Sequence, residues 1–184
     1  MVLFMQRRYA LVAYVTNPVG EFVEALRREL HPALPHSDAH LTILPPRHLL
    51  GNEAEALAAL QTLCTESNSF PVLLGSVATF LPGTPTVFVR VAEGANEMRA
   101  LHQLLNSGAL ASCEMWPYEP HLTIVKMETP ADARSACALS QSRWEGYQGT
   151  RRVQVTELAF VREEDNGTWT DLGHIPLSLQ LTHR

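Results

Sequence analysis

The tetrapeptide His-Leu-Thr-Ile occurs at residues 40–43 and again at residues 121–124, and the segments around each copy follow one order. The opening strands of the two runs start 77 residues apart and the histidines lie 81 apart. Short repeated words arise by chance, but five elements in one order at nearly constant offset do not. In the first run, residues 9–15 (YALVAYV) form a buried strand. Pro18 then opens a helix with Val19, Phe22, Val23, Leu26 and Leu30 on one face. The first HLTI strand follows, then a helix capped by Asn52 and Glu55 and carrying Leu57, Leu60 and Cys64. A strand over 70–80, open to interruption at Gly75, closes the run. The second run repeats this. It has a strand over 86–91, a helix over 96–110 led by Met98, Leu101 and Leu105, and the second HLTI. Thr129 and Pro130 start the next helix, and one strand covers 152–161. A return strand over 168–179 follows the turn Asp165-Asn166-Gly167.

At 184 residues the chain suits one compact unit. Its repeat halves span about 8–81 and 86–179 of a single domain over 1–184, joined at the Pro- and Gly-rich residues 82–85. Sheet pairing between the halves is open, so the joint need not divide two independently stable domains. The expectation is an α+β fold, an internally duplicated βαβαβ with two similar lobes.

In a strand, side chains alternate faces, so His40 projects with Thr42 and His121 with Thr123. Side by side, the two strands bring two imidazoles and two hydroxyls to one cleft. Imidazole titrates nearest neutrality, so a pair can act as acid and base together, while the hydroxyls can hold an oxyanion. A single H-x-T is more often a satisfied strand-end histidine beside a good strand former. The second copy in an equivalent place favours a shared site. Two histidines fall short of the three protein ligands that catalytic zinc normally takes. His36, Asp38 or His174 would have to be recruited, and no spacing points there. Covalent catalysis by Thr42 or Thr123 is disfavoured by a separation of about 7 Å from the histidine on the same face.

The formal charge of −5 argues against a broad basic surface that tracks long nucleic acid, though not against a single phosphate terminus. Of the cations, thirteen are arginines and Lys126 is the sole lysine. Cys64, Cys113 and Cys137 show no CxxC spacing and read as buried or half-buried thiols. No apolar run is long enough to span a bilayer, and Arg7 and Arg8 behind the apolar start reverse the charge order of a signal peptide. A cytoplasmic location and no membrane association are expected.

The doubled H-x-T-x signature, the duplicated element order, and the phrases Tyr118-Glu-Pro-His-Leu-Thr-Ile and VTELAFV (155–161) resemble the two-histidine phosphoesterase superfamily. The similarity is greatest to its bacterial and archaeal 2′-5′ RNA ligase-like, cyclic phosphodiesterase branch, and it covers nearly the whole chain. The resemblance implies His40 and His121 as the catalytic pair and Thr42 and Thr123 as phosphate-binding hydroxyls. It implies metal-independent hydrolysis of a cyclic, 2′,3′-type or 2′-linked nucleotide phosphodiester, with pseudo-symmetry leaving acid and base unassigned. The architecture expected is two mainly antiparallel sheets around a central cleft with helices outside.

Further substrate-binding candidates are Arg47, Lys126 and Tyr118. In a regular strand Lys126 would face away from Thr123, and only a bulge or turn would return it. Pro45 and Pro46 leave the direction of Arg47 open. Tyr14, Phe22, Trp116 and Tyr118 are aromatics able to stack on a base, although packing is the commoner fate of such rings. His48, His102 and His174 have surface or structural roles by default. No cofactor and no metal are expected, with a small nucleotide or RNA terminus as substrate and a monomeric chain. The alternatives are action on RNA ends, by opening a terminal cyclic phosphate or by 2′-5′ ligation, and a non-catalytic nucleotide-phosphate binding module.

Overall fold

The computed structural model describes residues 7–34 and 37–179. The strands are β1 (Tyr9–Tyr14), β2 (His40–Arg47), β3 (Phe70–Thr79), β4 (Thr86–Glu93), β5 (His121–Lys126), β6 (Arg152–Val155), β7 (Glu157–Glu163) and β8 (Trp169–Pro176). The helices are α1 (Pro18–Leu30), α2 (Glu53–Thr65), α3 (Ala95–Leu105) and α4 (Pro130–Glu145), with a 3₁₀ turn at Gly108–Leu110. The duplicated α+β order therefore stands, and local chemistry explains most boundaries. At α2, Glu55 N donates to Asn52 Oδ1 at 2.9 Å and Asn52 N to Glu55 Oε2 at 3.1 Å, a reciprocal capping box. At α4, Asp132 N donates to the Thr129 hydroxyl and Pro130 occupies the first turn.

Two elements end where periodicity alone did not end them. The helix expected over 96–110 stops at Leu105, because the Asn106 side chain both accepts from Ser112 N and donates to Ser112 O. That pair of bonds holds a turn in which Gly108 adopts φ 54°. The strand expected over 152–161 divides at Thr156. Val153 and Val155 are buried on odd positions, whereas Leu158 and Phe160 are buried in the same core on even ones. A regular strand keeps one parity, and here the change of parity falls at the break.

All strands lie in one sheet, in the order β6-β3-β4-β5-β2-β1-β7-β8, and its neighbouring pairs are antiparallel. The expected two sheets are thus the halves of one, joined where Leu41 pairs with Leu122. Each half takes strands from the other repeat, since β1 pairs with β7, which carries β8 beside it, and β4 pairs with β3. The helices exchange as well, with α1 packed over β5 and α3 over β2. One face of the sheet joins all four helices in a single apolar core that includes Leu11, Leu41, Ile43, Val89, Leu122 and Ile124. Full burial of each such side chain contributes about 1.5–3 kcal/mol. The opposite face carries a smaller cluster, Ala10, Val12, Ala159 and Val161, flanked by Tyr14 and Trp169.

The two motif strands share a local irregularity. Leu11 pairs with Leu44 but Val12 with Thr42, while Val87 pairs with Val125 but Phe88 with Thr123. Each shift is a bulge immediately after the threonine, where two successive residues, Ile43-Leu44 and Ile124-Val125, turn into the core.

Candidate active site

His40, Thr42, His121 and Thr123 are half-buried, whereas the intervening Leu41 and Leu122 are fully buried. Strand alternation therefore puts all four polar side chains on the face away from the helices. The antiparallel Leu41–Leu122 register sets His40 beside Thr123 and Thr42 beside His121. The four polar side chains therefore flank the single Leu41–Leu122 pair on one face of the sheet.

Each imidazole is held in the same way. His40 Nδ1 lies 2.7 Å from Asp38 O, and His121 Nδ1 lies 2.6 Å from Glu119 O. A carbonyl oxygen only accepts, so Nδ1 carries the proton in each bond and Nε2 is the nitrogen left for substrate. The pKa of His40 is lowered, first by burial, and further by the Arg27 cation and by His121, against the backbone bond and the Asp38 charge. Burial likewise lowers the pKa of His121, against its backbone bond and the Glu119 charge. Both rings thus favour the neutral form in the free protein, and a bound phosphate anion would draw a proton onto them.

On either side of the Leu41–Leu122 pair the strands are not bridged, and side chains take over the freed carbonyls. Arg27 on α1 donates through Nε to Ile124 O at 2.7 Å and through Nη2 to Thr123 O at 3.0 Å. Its Nη1 donates to Ser37 Oγ at 2.8 Å and to Ser37 O. On the other strand the Tyr118 hydroxyl donates to Thr42 O at 2.7 Å, and His102 Nδ1 on α3 donates to Ile43 O at 2.8 Å. The backbone of both motifs is thereby tied down next to His40, Thr42, His121 and Thr123.

A cavity of about 370 Å³ opens beside His40 and Thr42. Ala10, Val12 and Val161 line it, with Tyr14, Pro46 and Trp169. Tyr14 meets His40 edge-on at 6.5 Å between ring centres, and its hydroxyl donates to Asp171 Oδ1 at 2.6 Å. Burial and the Asp171 charge raise the phenol pKa, so it remains a donor. On the far side of the site, Phe80 and Phe88 stack at 4.0 Å and meet the His121 ring edge-on at 4.9 Å and 5.2 Å.

The remaining candidates divide. The bulge after Thr123 sets Lys126 opposite Thr86, which shares the alternation of Phe88 and Arg90, so Lys126 returns to the histidine face and is exposed there. Arg47 does not reach the site. It is 4% exposed and pairs with Tyr9 on the core face, where its guanidinium is taken up by Pro45 O, Asn106 Oδ1, Leu110 O and Glu114. A second irregularity, between the Tyr9 and Leu11 pairs at Pro45-Pro46, turns it inward. Tyr118 lies flat on His102 at 4.0 Å and holds Thr42 O, which makes it a support of β2 rather than a free stacking surface. Phe22 packs among Trp144 and Tyr147 on the helix side. Trp116 is exposed, and so is Cys113, contrary to expectation. Of the potential third metal ligands, His36 lies outside the described residues. His174 sits between Asp171 at 3.0 Å and Glu157 at 3.3 Å. Among the described residues no cluster of three metal-ligating side chains forms, and no helix is long and apolar enough to cross a membrane.

Sequence reasoning missed Arg27, Arg90 and Trp169. Register places Arg90 directly across from His121, as Tyr14 is across from His40. Counting back from each threonine in the paired strands would have found that match.

An antiparallel α+β sheet with paired H-x-T motifs on its open face defines a phosphoesterase of the two-histidine type. The chain belongs to the 2′-5′ RNA ligase superfamily, whose family model matches residues 15–167. A protein of Bacillus thuringiensis (strain Al Hakam) named "Putative phosphoesterase" is 24% identical over 164 residues, covering 89% of this chain and 92% of the relative. A Bacillus anthracis (strain A0248) protein of the same name matches equally. Among solved structures, E. coli LigT complexed with phosphate superimposes with a TM-score of 0.61 at 18% identity, over 94% of this chain and 98% of LigT. A Thermus thermophilus protein, TT0787, gives 0.57 at 18% identity over 94% and 99%. These likenesses show a shared fold.

Proposed function

We propose that this protein is a metal-independent phosphodiesterase that hydrolyses a cyclic, 2′,3′-type or 2′-linked nucleotide phosphodiester by two-histidine acid–base catalysis. The observation that carries the reading is the matched pair of imidazoles, each fixed through Nδ1 to the carbonyl two residues before it and each keeping Nε2 for substrate.

The chemistry needs this pair. Water at neutral pH is a weak nucleophile, and a ribose alkoxide leaves poorly unless protonated. One neutral Nε2 takes a proton from water as its oxygen bonds to phosphorus. The other imidazole, which takes a proton from solvent because the bound anion raises its pKa, gives that proton to the departing ribose oxygen as that P–O bond breaks. One water is consumed, the ring opens to a phosphomonoester and a hydroxyl, and the two imidazoles finish with protonation exchanged. Thr42 and Thr123 donate to the non-bridging oxygens, and the Lys126 ammonium offsets their charge.

Turnover of the four nucleoside 2′,3′-cyclic monophosphates in EDTA tests the reading. Hydrolysis that survives chelation supports it, and the product isomer reports which bond breaks. No turnover of these or of 2′-5′-linked dinucleotides would sink it. The net charge of −5 favours small substrates over long RNA. Binding that weakens steeply with salt would favour RNA ends instead.

A further inference from the structure

The two bulges share more than their place in the motif. Ile43 is the residue of β2 that finds no partner on β1, and Ile124 the residue of β5 that finds none on β4. In each strand the threonine carbonyl and the isoleucine carbonyl after it are taken up by side chains. On β5 one residue supplies both donors, Arg27 Nη2 to Thr123 O at 3.0 Å and Arg27 Nε to Ile124 O at 2.7 Å. On β2 two residues fill the same two places, the Tyr118 hydroxyl on Thr42 O at 2.7 Å and His102 Nδ1 on Ile43 O at 2.8 Å.

The pair on β2 reproduces what a guanidinium offers. A guanidinium is a rigid plane with its donors in a fixed fork. The Tyr118 and His102 rings lie 4.0 Å apart at an interplanar angle of 2°, so each holds the other in place. Burial, and then the Glu114 charge, keep the Tyr118 phenol in its donating form against the Arg99 cation. Arg27 stands on a helix of the first repeat, while Tyr118 and His102 belong to the second. Unrelated side chains thus meet one requirement twice.

That requirement reaches the threonine hydroxyls. In a regular strand the ladder fixes each peptide plane and, with it, the direction of the side chain. A bulge disrupts the ladder and re-aims the side chains beside it. The peptide that carries Thr42 O adjoins the Thr42 Cα, so a donor that sets this plane also sets where the hydroxyl points. We infer that Tyr118, with His102 stacked on it, is a positioning residue for the Thr42 hydroxyl, and that the Arg27 fork is its counterpart for Thr123. The inference rests on the reading of both threonines as phosphate ligands.

A double-mutant cycle separates aiming a hydroxyl from merely satisfying a carbonyl. Tyr118→Phe keeps the ring and its stack and removes the donor alone. The affinity of the whole chain for inorganic phosphate, measured by calorimetry, should fall roughly fivefold, about the worth of one hydrogen bond. In a Thr42→Val background the same change should alter affinity by less than about twofold, and in a Thr123→Val background it should cost the full factor again. His102→Phe repeats the cycle from the second donor. Arg27→Lys, which keeps the charge but replaces the fork by one nitrogen, should couple to Thr123 and not to Thr42. A purely structural role would lower the urea midpoint and weaken phosphate equally in every background, or not at all, and either result would overturn the inference. So would a Thr42→Val protein that binds phosphate as tightly as the wild type. The expected coupling in a chain that turns over no cyclic phosphodiester would leave the inference standing and sink the catalytic reading.

Discussion

Arg27 and His102 do the same work from opposite repeats. Arg27, on the first helix of the first repeat, caps Thr123 O and Ile124 O in the second motif strand. His102, on the first helix of the second repeat, caps Ile43 O in the first. Each helix thus secures the other repeat's motif strand, the two on opposite sides of the single Leu41–Leu122 pair. A buried carbonyl without a donor is costly, so the exchange stabilises the fold and fixes the site together.

Arg27→Met should therefore destabilise the protein by about 2–4 kcal/mol, since it removes charge-assisted bonds to three residues and leaves buried acceptors unmatched. Urea denaturation measures this. The same variant should raise the pKa of His40, because the Arg27 cation is one of the influences that lower it. A proton NMR titration of the imidazole reads that shift, which a purely structural role would not produce.

Arg47 separates stability from chemistry. With Glu114, Asn106 and two carbonyls around its guanidinium, Arg47→Met should cost about 3–5 kcal/mol by stranding a buried partner. Activity per folded molecule should be unchanged. A KM that rises with intact stability would instead place Arg47 on the substrate.

The histidine shifts set the sign of the pH dependence. Both pKa values are lowered in the folded state, so between those values and about 6.5 the unfolded chain binds more protons. Their contribution to stability is complete above about pH 6.5 and is lost as pH falls through the folded values. Urea midpoints should drop accordingly from pH 7.5 to pH 5. For catalysis, kcat/KM reports the free enzyme and should give a bell whose maximum lies on the acid side of about 6.5. The kcat profile should lie to its alkaline side, because the bound phosphate anion raises both pKa values. A monotonic profile from pH 5 to pH 9 would contradict paired acid–base action.

Thr42→Val and Thr123→Val keep shape and remove a donor. Each should weaken inorganic phosphate by roughly tenfold, near the 1–1.5 kcal/mol typical of one hydrogen bond, with little change in urea midpoint. Loss of stability without loss of phosphate affinity would assign the hydroxyls to the fold.

Much of this was legible in the sequence, for reasons that identify what was not. The duplicated HLTI fixed two strands, their shared face and all four central side chains, because strand alternation is a local rule. The Asn52–Glu55 and Thr129–Pro130 caps are local too. The bulges after Thr42 and Thr123 escaped because they show only as apolar pairs, Ile43-Leu44 and Ile124-Val125, and those bulges decide where Lys126 points. The exchange of β3 and β7 between halves depends on which edges meet, and no local pattern encodes it. Its trace was the parity change between Val155 and Leu158. Arg47 and Tyr118 were misjudged because their positions depend on contacts with Asn106, Glu114 and His102, which lie far along the chain.

The most direct test of the central claim is single-turnover hydrolysis of a nucleoside 2′,3′-cyclic monophosphate, in EDTA, by the wild-type chain and by His40→Ala and His121→Ala. Each general acid or base contributes about 10²–10⁴ in rate, so each variant should lose that factor, roughly 3–5 kcal/mol of barrier, while still binding inorganic phosphate. Turnover that persists in either variant at near the wild-type rate would contradict the two-histidine account.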